Sequence, residues 1–154
     1  MTGWGKLSRD RQLEPKPHQG CARPTAGGAL VPNRYVLTEA GDSSGKVIAT
    51  CSLPMDPGST KLIVANTSSG AEELAKKVPQ ALVVFALNTV PSEVLVGVFE
   101  ARCKEIRQSL VYCGDDHGAK DLAAKLIDDA GFDPVDTCSM RIARYMESFA
   151  VLVA

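Results

Sequence analysis

Three short stretches of the 154-residue chain concentrate the side chains that can hold or transform a small molecule. Cys51, Ser52, Leu53 and Pro54 form the first, Asn88, Thr89, Val90, Pro91 and Ser92 the second, and Gly114, Asp115, Asp116 and His117 the third. Their combined chemistry is mild: hydroxyls, one carboxamide, two carboxylates and one imidazole. Nucleophilic catalysis needs a nucleophile within reach of a base, and Cys113 has only His117 near it in sequence. Such a set suits positioning a cofactor that carries its own chemistry. A plainer reading stands beside each stretch. Asp115 and Asp116 precede a strongly helical pattern, where a carboxylate caps free N–H groups, and residues 88–91 are also ordinary strand-to-helix turn chemistry. His18 falls in the irregular start and His117 in the solvent-facing first turn of a helical pattern, and His–Asp spacing alone is weak evidence, so no metal is expected.

Composition narrows the classes further. With 45% hydrophobic and 23% charged residues the chain reads as globular. A net charge of -1 without a basic cluster excludes nucleic acid as the main partner. Five cysteines, an odd number with no CxxC pair, exclude a disulfide framework and a cysteine zinc site, and point to the reducing cytoplasm. They read as small buried apolar side chains. The polar start lacks an apolar run, so neither a secretory leader nor a membrane span is expected there.

The elements that must position the three stretches begin after a boundary near residue 36. Four of nine prolines and five of thirteen glycines fall before it, without periodicity, so residues 1–35 read as a disordered or irregular arm and residues 36–154 as one domain. From there strand and helix take turns. Residues 45–51 and 81–87 are apolar runs bounded by turn residues, and the second is long enough to be covered on both faces. Between them Ser69 and Glu72 stand at capping-box spacing before Ala71, Leu74, Ala75 and Val78. After Pro91, residues Val94, Leu95, Val98 and Phe99 form a short apolar face. A third strand at 109–113 precedes the clearest helix, with Ala119, Leu122, Ala123, Leu126, Ile127 and Ala130 turned inward and Gly131 as its stop. A strand at 134–137 leads to a last helix with Met140, Ala143, Met146, Phe149, Ala150 and Val153 inward. This alternation predicts an α/β fold with a mostly parallel sheet and crossover helices. In such sheets ligands gather outside the carboxyl ends of the strands, so the three polar stretches are expected along one rim.

Six ordered blocks make the pattern more specific: residues 39–48, 67–75, 87–95, 112–116, 131–136 and 144–148. Together they resemble the NADP reductases that depend on the deazaflavin coenzyme, relatives of the pyrroline-carboxylate-reductase-type Rossmann domains, over about three quarters of the chain. The resemblance implies hydride exchange between NADP(H) and a flavin-like ring or a small-molecule acceptor. It places Asn88, Thr89, Val90, Pro91 and Ser92 beside the reacting rings. Ser52, Pro54, Gly114, Asp115 and Asp116 become cofactor contacts, and Arg144 and Glu147 a charged pair of the last helix that also reads as a surface ion pair.

Two positions depart from the family. No Gly-x-Gly-x-x-Gly turn occurs in the sequence, although that turn lets the backbone approach a pyrophosphate at a helix N-terminus. The expected fold is therefore a partial Rossmann-like domain lacking the N-terminal βαβ phosphate-binding unit. An exposed sheet edge would then favour a homo-oligomer or a covering partner chain. Leu53 stands where the family has Asn, and a Leu offers neither donor nor acceptor, so polar contacts at this point should be weak. A non-catalytic interaction or oligomerisation module, or a truncated gene model, is the rival expectation.

Overall fold

A computed structural model describes Leu37 and residues 41–153; the expectation for residues 1–35 falls outside that range. Four strands, β1 (Val47–Thr50), β2 (Leu82–Phe85), β3 (Ser109–Gly114) and β4 (Asp133–Asp136), form one sheet in the order β1-β2-β3-β4. The helices are α1 (Gly70–Lys77), α2 (Leu95–Glu100), α3 (His117–Asp129) and α4 (Ala143–Val153), with 3-10 turns at Ser92–Val94 and Met140–Ile142 before α2 and α4.

The period of two in a strand explains why β2 is apolar throughout. Val83 and Phe85 join Ala71, Leu74, Met140, Ala143 and Met146 on the face under α1 and α4. Val84 and Ala86 point the other way, into a second cluster with Ala119, Ala123, Ile127 and Phe132 under α3. A strand covered on both faces has no place for an alternating polar residue.

β1 pairs with β2 and β3 with β4 in parallel, as the alternation of elements predicts, so the sheet is mostly parallel and the architecture is a partial Rossmann-like α/β fold. The central pairing departs from the expectation: β2 and β3 are antiparallel, with Val84 opposite Gly114 and Phe85 opposite Cys113. Helix length gives the reason. At about 1.5 Å per residue, the 13-residue α3 advances roughly 20 Å and can carry the chain back along a strand. The six-residue α2 advances only roughly 9 Å. The chain therefore leaves β2 and enters β3 at the same end of the sheet.

Several helix faces also differ from their reading. Ala119, Ala123 and Ile127 of α3 are buried, but Leu122 and Leu126 are about half exposed. Met140, Ala143, Met146 and Ala150 face inward, whereas Phe149 and Val153 are largely exposed. On α2 only Leu95 and Val98 of the expected face pack on the core, while Val94 and Phe99 are about half exposed. Gly131 does end α3, at φ +100 with its N–H donating to Asp128 O at 2.9 Å. A Cβ there would lie 2.8 Å from Val98 O, so glycine is required on two grounds. Of the cysteines, only Cys113 among the described four is buried; Cys51, Cys103 and Cys138 are exposed.

Candidate functional site

Because β3 runs against β2, the three polar stretches do not share one rim. Residues 51–54 and 88–92 lie beyond the carboxyl ends of β1 and β2. Residues 114–117 leave β3 at the opposite end, beside the carboxyl end of β4, where Gly114 N–H donates to Cys138 O at 3.2 Å. The expectation of a single rim is thereby overturned, and Gly114, Asp115 and Asp116 are separated from Asn88. Their side chains hold the fold locally. Asp115 Oδ1 accepts from the Met140 amide at 2.9 Å, starting the turn into α4, and Asp116 Oδ1 accepts from the Ala119 amide at 2.8 Å as the N-cap of α3. The capping reading holds for Asp116; Asp115 makes no bond to that helix and holds the turn before α4 instead, and His117 is exposed as expected.

The Asn88 rim is built differently. Asn88 Nδ2 donates to Ser52 O at 3.1 Å, tying the loop after β2 to the loop after β1. Its Oδ1 is buried and has no hydrogen-bond partner, alone among the side-chain N and O atoms of the described residues. Immediately before Asn88, Leu87 holds φ +66. A bulky side chain is rarely found in that left-handed region, where each such residue stores on the order of 1–3 kcal/mol of strain. Beside these residues Thr89, Val90, Pro91, Phe149 and Val153 help line an open cleft of about 270 Å³. A smaller one of about 60 Å³ lies between Asn88, Pro91, Ala150 and Val153.

Arg144 and Glu147 do not pair with each other. Arg144 forms a two-pronged ion pair with Glu72, both N–O distances being 2.7 Å, which holds the Glu72 carboxyl below its ordinary range. Glu147 is fully buried, contrary to its reading as half of a surface pair. Its two oxygens accept from the amides of Gly70 at 3.0 Å and Ala71 at 3.1 Å, the first turn of α1. Burial raises its carboxyl above the ordinary range, and the two amide bonds only partly oppose that. Ser69 completes the end of the helix by accepting from the Glu72 amide at 3.1 Å. Nothing in the spacing of Glu147 betrays this role, because its partners lie 76 and 77 residues away; an acidic residue on the inward stripe of an otherwise apolar helix was the only available signal.

These contacts allow a test of fit for a dinucleotide. The amide end of a nicotinamide suits the Asn88 rim, which offers an unpaired acceptor, the backbone of residues 88–90 and an apolar wall. The phosphates do not find their usual partners among the described residues. The N-terminus of α1 is filled by the Glu147 carboxylate, so its amides are not free for an anion, and Asp116 takes the Ala119 amide in the first turn of α3. No group of three or more metal-ligating side chains occurs among the described residues, and no described helix is long and apolar enough to cross a membrane.

No family model matches the chain, and no curated protein matches it. Solved structures do. A protein described as a putative F420-dependent NADP-reductase from Arthrobacter sp. FB24 superposes with a TM-score of 0.67 at 28% identity, covering 77% of this chain and 55% of that one. The hypothetical protein SMa0349 from Sinorhizobium meliloti gives a TM-score of 0.57 at 29% identity, covering 68% of this chain and 50% of that one. The chain thus spans about half the length of the solved proteins it matches, and shares with the first an NADP oxidoreductase-like fold.

Proposed function

We propose that the Asn88 rim receives the nicotinamide end of NADP(H), and that the chain serves hydride exchange with a flavin-like acceptor such as a deazaflavin, or with another small molecule. One observation carries this reading: the buried, unpartnered Asn88 Oδ1, held in place by Ser52 and preceded by strained backbone at Leu87. An unsatisfied acceptor beside stored strain is costly for folding alone and is the kind of feature found where a ligand supplies the missing partner. The likeness to the Arthrobacter protein supports the same reading. When bound, NADPH supplies the hydride; the chain's task is positioning. Asn88 Oδ1 would accept an N–H from the carboxamide, Thr89 and Val90 would border the ring, and Phe149, Pro91 and Val153 would limit water at its exposed face. Ser52, Pro54 and Ser92 shape the flanks of this rim. Gly114, Asp115 and Asp116, on the other rim, have no part in it. Calorimetric titration of the purified chain with NADPH tests the proposal: saturable binding that weakens about tenfold in Asn88→Ala, a loss of roughly one hydrogen bond, is expected. No heat at millimolar NADPH contradicts it.

A second reading has its own support. With the α1 N-terminus already filled and no Gly-x-Gly-x-x-Gly turn in the sequence, the described residues lack the usual phosphate cradle, which favours a module acting with a second copy or a partner chain that covers the outer edge of β1. Sedimentation of a strictly monomeric, well-folded chain would count against it. Four free thiols among the described residues favour a reducing, cytoplasmic location for either reading.

A further inference from the structure

We infer that Glu147 is a positioning residue for Asn88: by plugging the N-terminus of α1 from α4 it fixes both walls of the slot that holds the Asn88 carboxamide. This rests on the reading of the Asn88 rim as the nicotinamide site, but the geometry can be tested without any cofactor.

One wall is reached through α1. The Glu147 carboxylate binds the amides of Gly70 and Ala71, and Gly70 sits so tightly that a Cβ on it would lie 3.2 Å from Glu147 Oε1 and 3.1 Å from Pro54 Cδ. Pro54 is buried, its carbonyl accepts from the Ile63 amide at 2.8 Å, and two residues before it Ser52 O receives Asn88 Nδ2. The other wall is α4 itself. Ala150, one turn beyond Glu147, and Val153 after it face Asn88 and Pro91 across the cleft of about 60 Å³. The Glu147 carboxylate is thus the buried polar link between the α1 end that abuts Pro54 and the α4 surface. The Asn88 side chain makes one hydrogen bond, to Ser52 O, and its oxygen is unpaired, so a change in the distance between them falls on this bond.

Burying an anion is expensive where an apolar side chain would pack. Hydrogen bonds aimed at two amides at once give the carboxylate a defined position that a Leu or Met would not have. The Arg144–Glu72 pair joins the same two helices from a half-buried position, and so guides the approach of α4 without touching the α1 amides.

Side-chain amide NMR of the full chain reads the positioning directly. In Glu147→Gln, which offers one oxygen to two amides, the Asn88 NH2 resonances are expected to move and their hydrogen exchange to quicken several-fold. Glu147→Asp, which keeps both oxygens, should restore part of the shift. Should these variants fail to fold, Gly70→Ala pushes on Pro54 from the same side and is expected to move the same resonances. Lys120→Gln, which breaks the Asp136 pair on the opposite rim, serves as the control for general loosening. Asn88 resonances at their wild-type positions in Glu147→Gln and Gly70→Ala, with only the melting temperature lowered, would overturn the inference. So would an equal shift in Lys120→Gln. NADPH affinity measured on the same variants separates the two ideas: moved Asn88 signals with no NADPH binding in any form retain the positioning role and reject the nicotinamide site.

Discussion

The two rims of one sheet use similar residues to opposite ends. At the carboxyl ends of β3 and β4, the carboxylates that could have suggested chemistry are matched, as are their neighbours: Asp115 with Met140, Asp116 with Ala119, Lys120 with Asp136 at 3.0 Å, and Thr137 with the Tyr112 carbonyl at 2.8 Å. Even the left-handed Cys138, at φ +80, has its amide held by Asp136 at 2.8 Å. At the carboxyl ends of β1 and β2 an acceptor is left unpaired and Leu87 is strained with no comparable compensation. The density of charged residues is thus a poor guide to function here, and unmet hydrogen-bonding capacity is the better one.

Replacing Glu147 by Ala should have the largest effect, because it leaves two buried amides without partners. Set against the relief of a buried carboxylate, a loss of about 3 kcal/mol in urea unfolding is expected. Asn88→Ala should separate the rims by leaving stability nearly unchanged while weakening NADPH binding, since it removes a lone bond and an unsatisfied oxygen together. Asp116→Ala is the mirror case: about 1 kcal/mol of stability lost with the cap and no change in NADPH binding. Loss of NADPH binding in Asp116→Ala would erase the contrast.

Stability against pH should carry both signs. Glu72, held below its ordinary range by Arg144, contributes stability above its unfolded value that is lost as pH falls through its lowered value. Glu147, raised by burial, contributes most below the ordinary carboxylate range, and that contribution fades as pH rises through its raised value. Glu72→Gln should therefore flatten the acid side of the profile and Glu147→Gln the side just above it. The smallest effect concerns the thiols. Burial pushes Cys113 up to about 12, so it should resist a thiol reagent near neutral pH while Cys51, Cys103 and Cys138 react, as a labelling time course followed by peptide mapping would show.

The sequence carried the local structure well where a single element decides it. Ser69 and Glu72 announce the start of α1, Asp116 the start of α3 and Gly131 its end, and the uninterrupted Val83, Val84 and Phe85 announce a strand covered on both sides. It failed where the answer depends on direction. A strand, a helical pattern and a strand read as a parallel crossover, and nothing in the pattern of residues 92–108 says that α2 is too short to return the chain. That one reversal moved Gly114, Asp115 and Asp116 away from Asn88. Periodicity also misassigned Leu122, Leu126 and Phe149, because an apolar stripe is buried only as far as a neighbouring element extends over it.

The central claim, that the rim with Asn88 and not the rim with Asp115 meets the cofactor, is most directly tested by mapping backbone amide shifts during an NADPH titration. Shifts concentrated at Ser52, Asn88, Thr89 and Val90, with Gly114 through His117 unmoved, are the expected result. Shifts centred on Gly114, Asp115 and Asp116, or none anywhere at saturating NADPH, would contradict it.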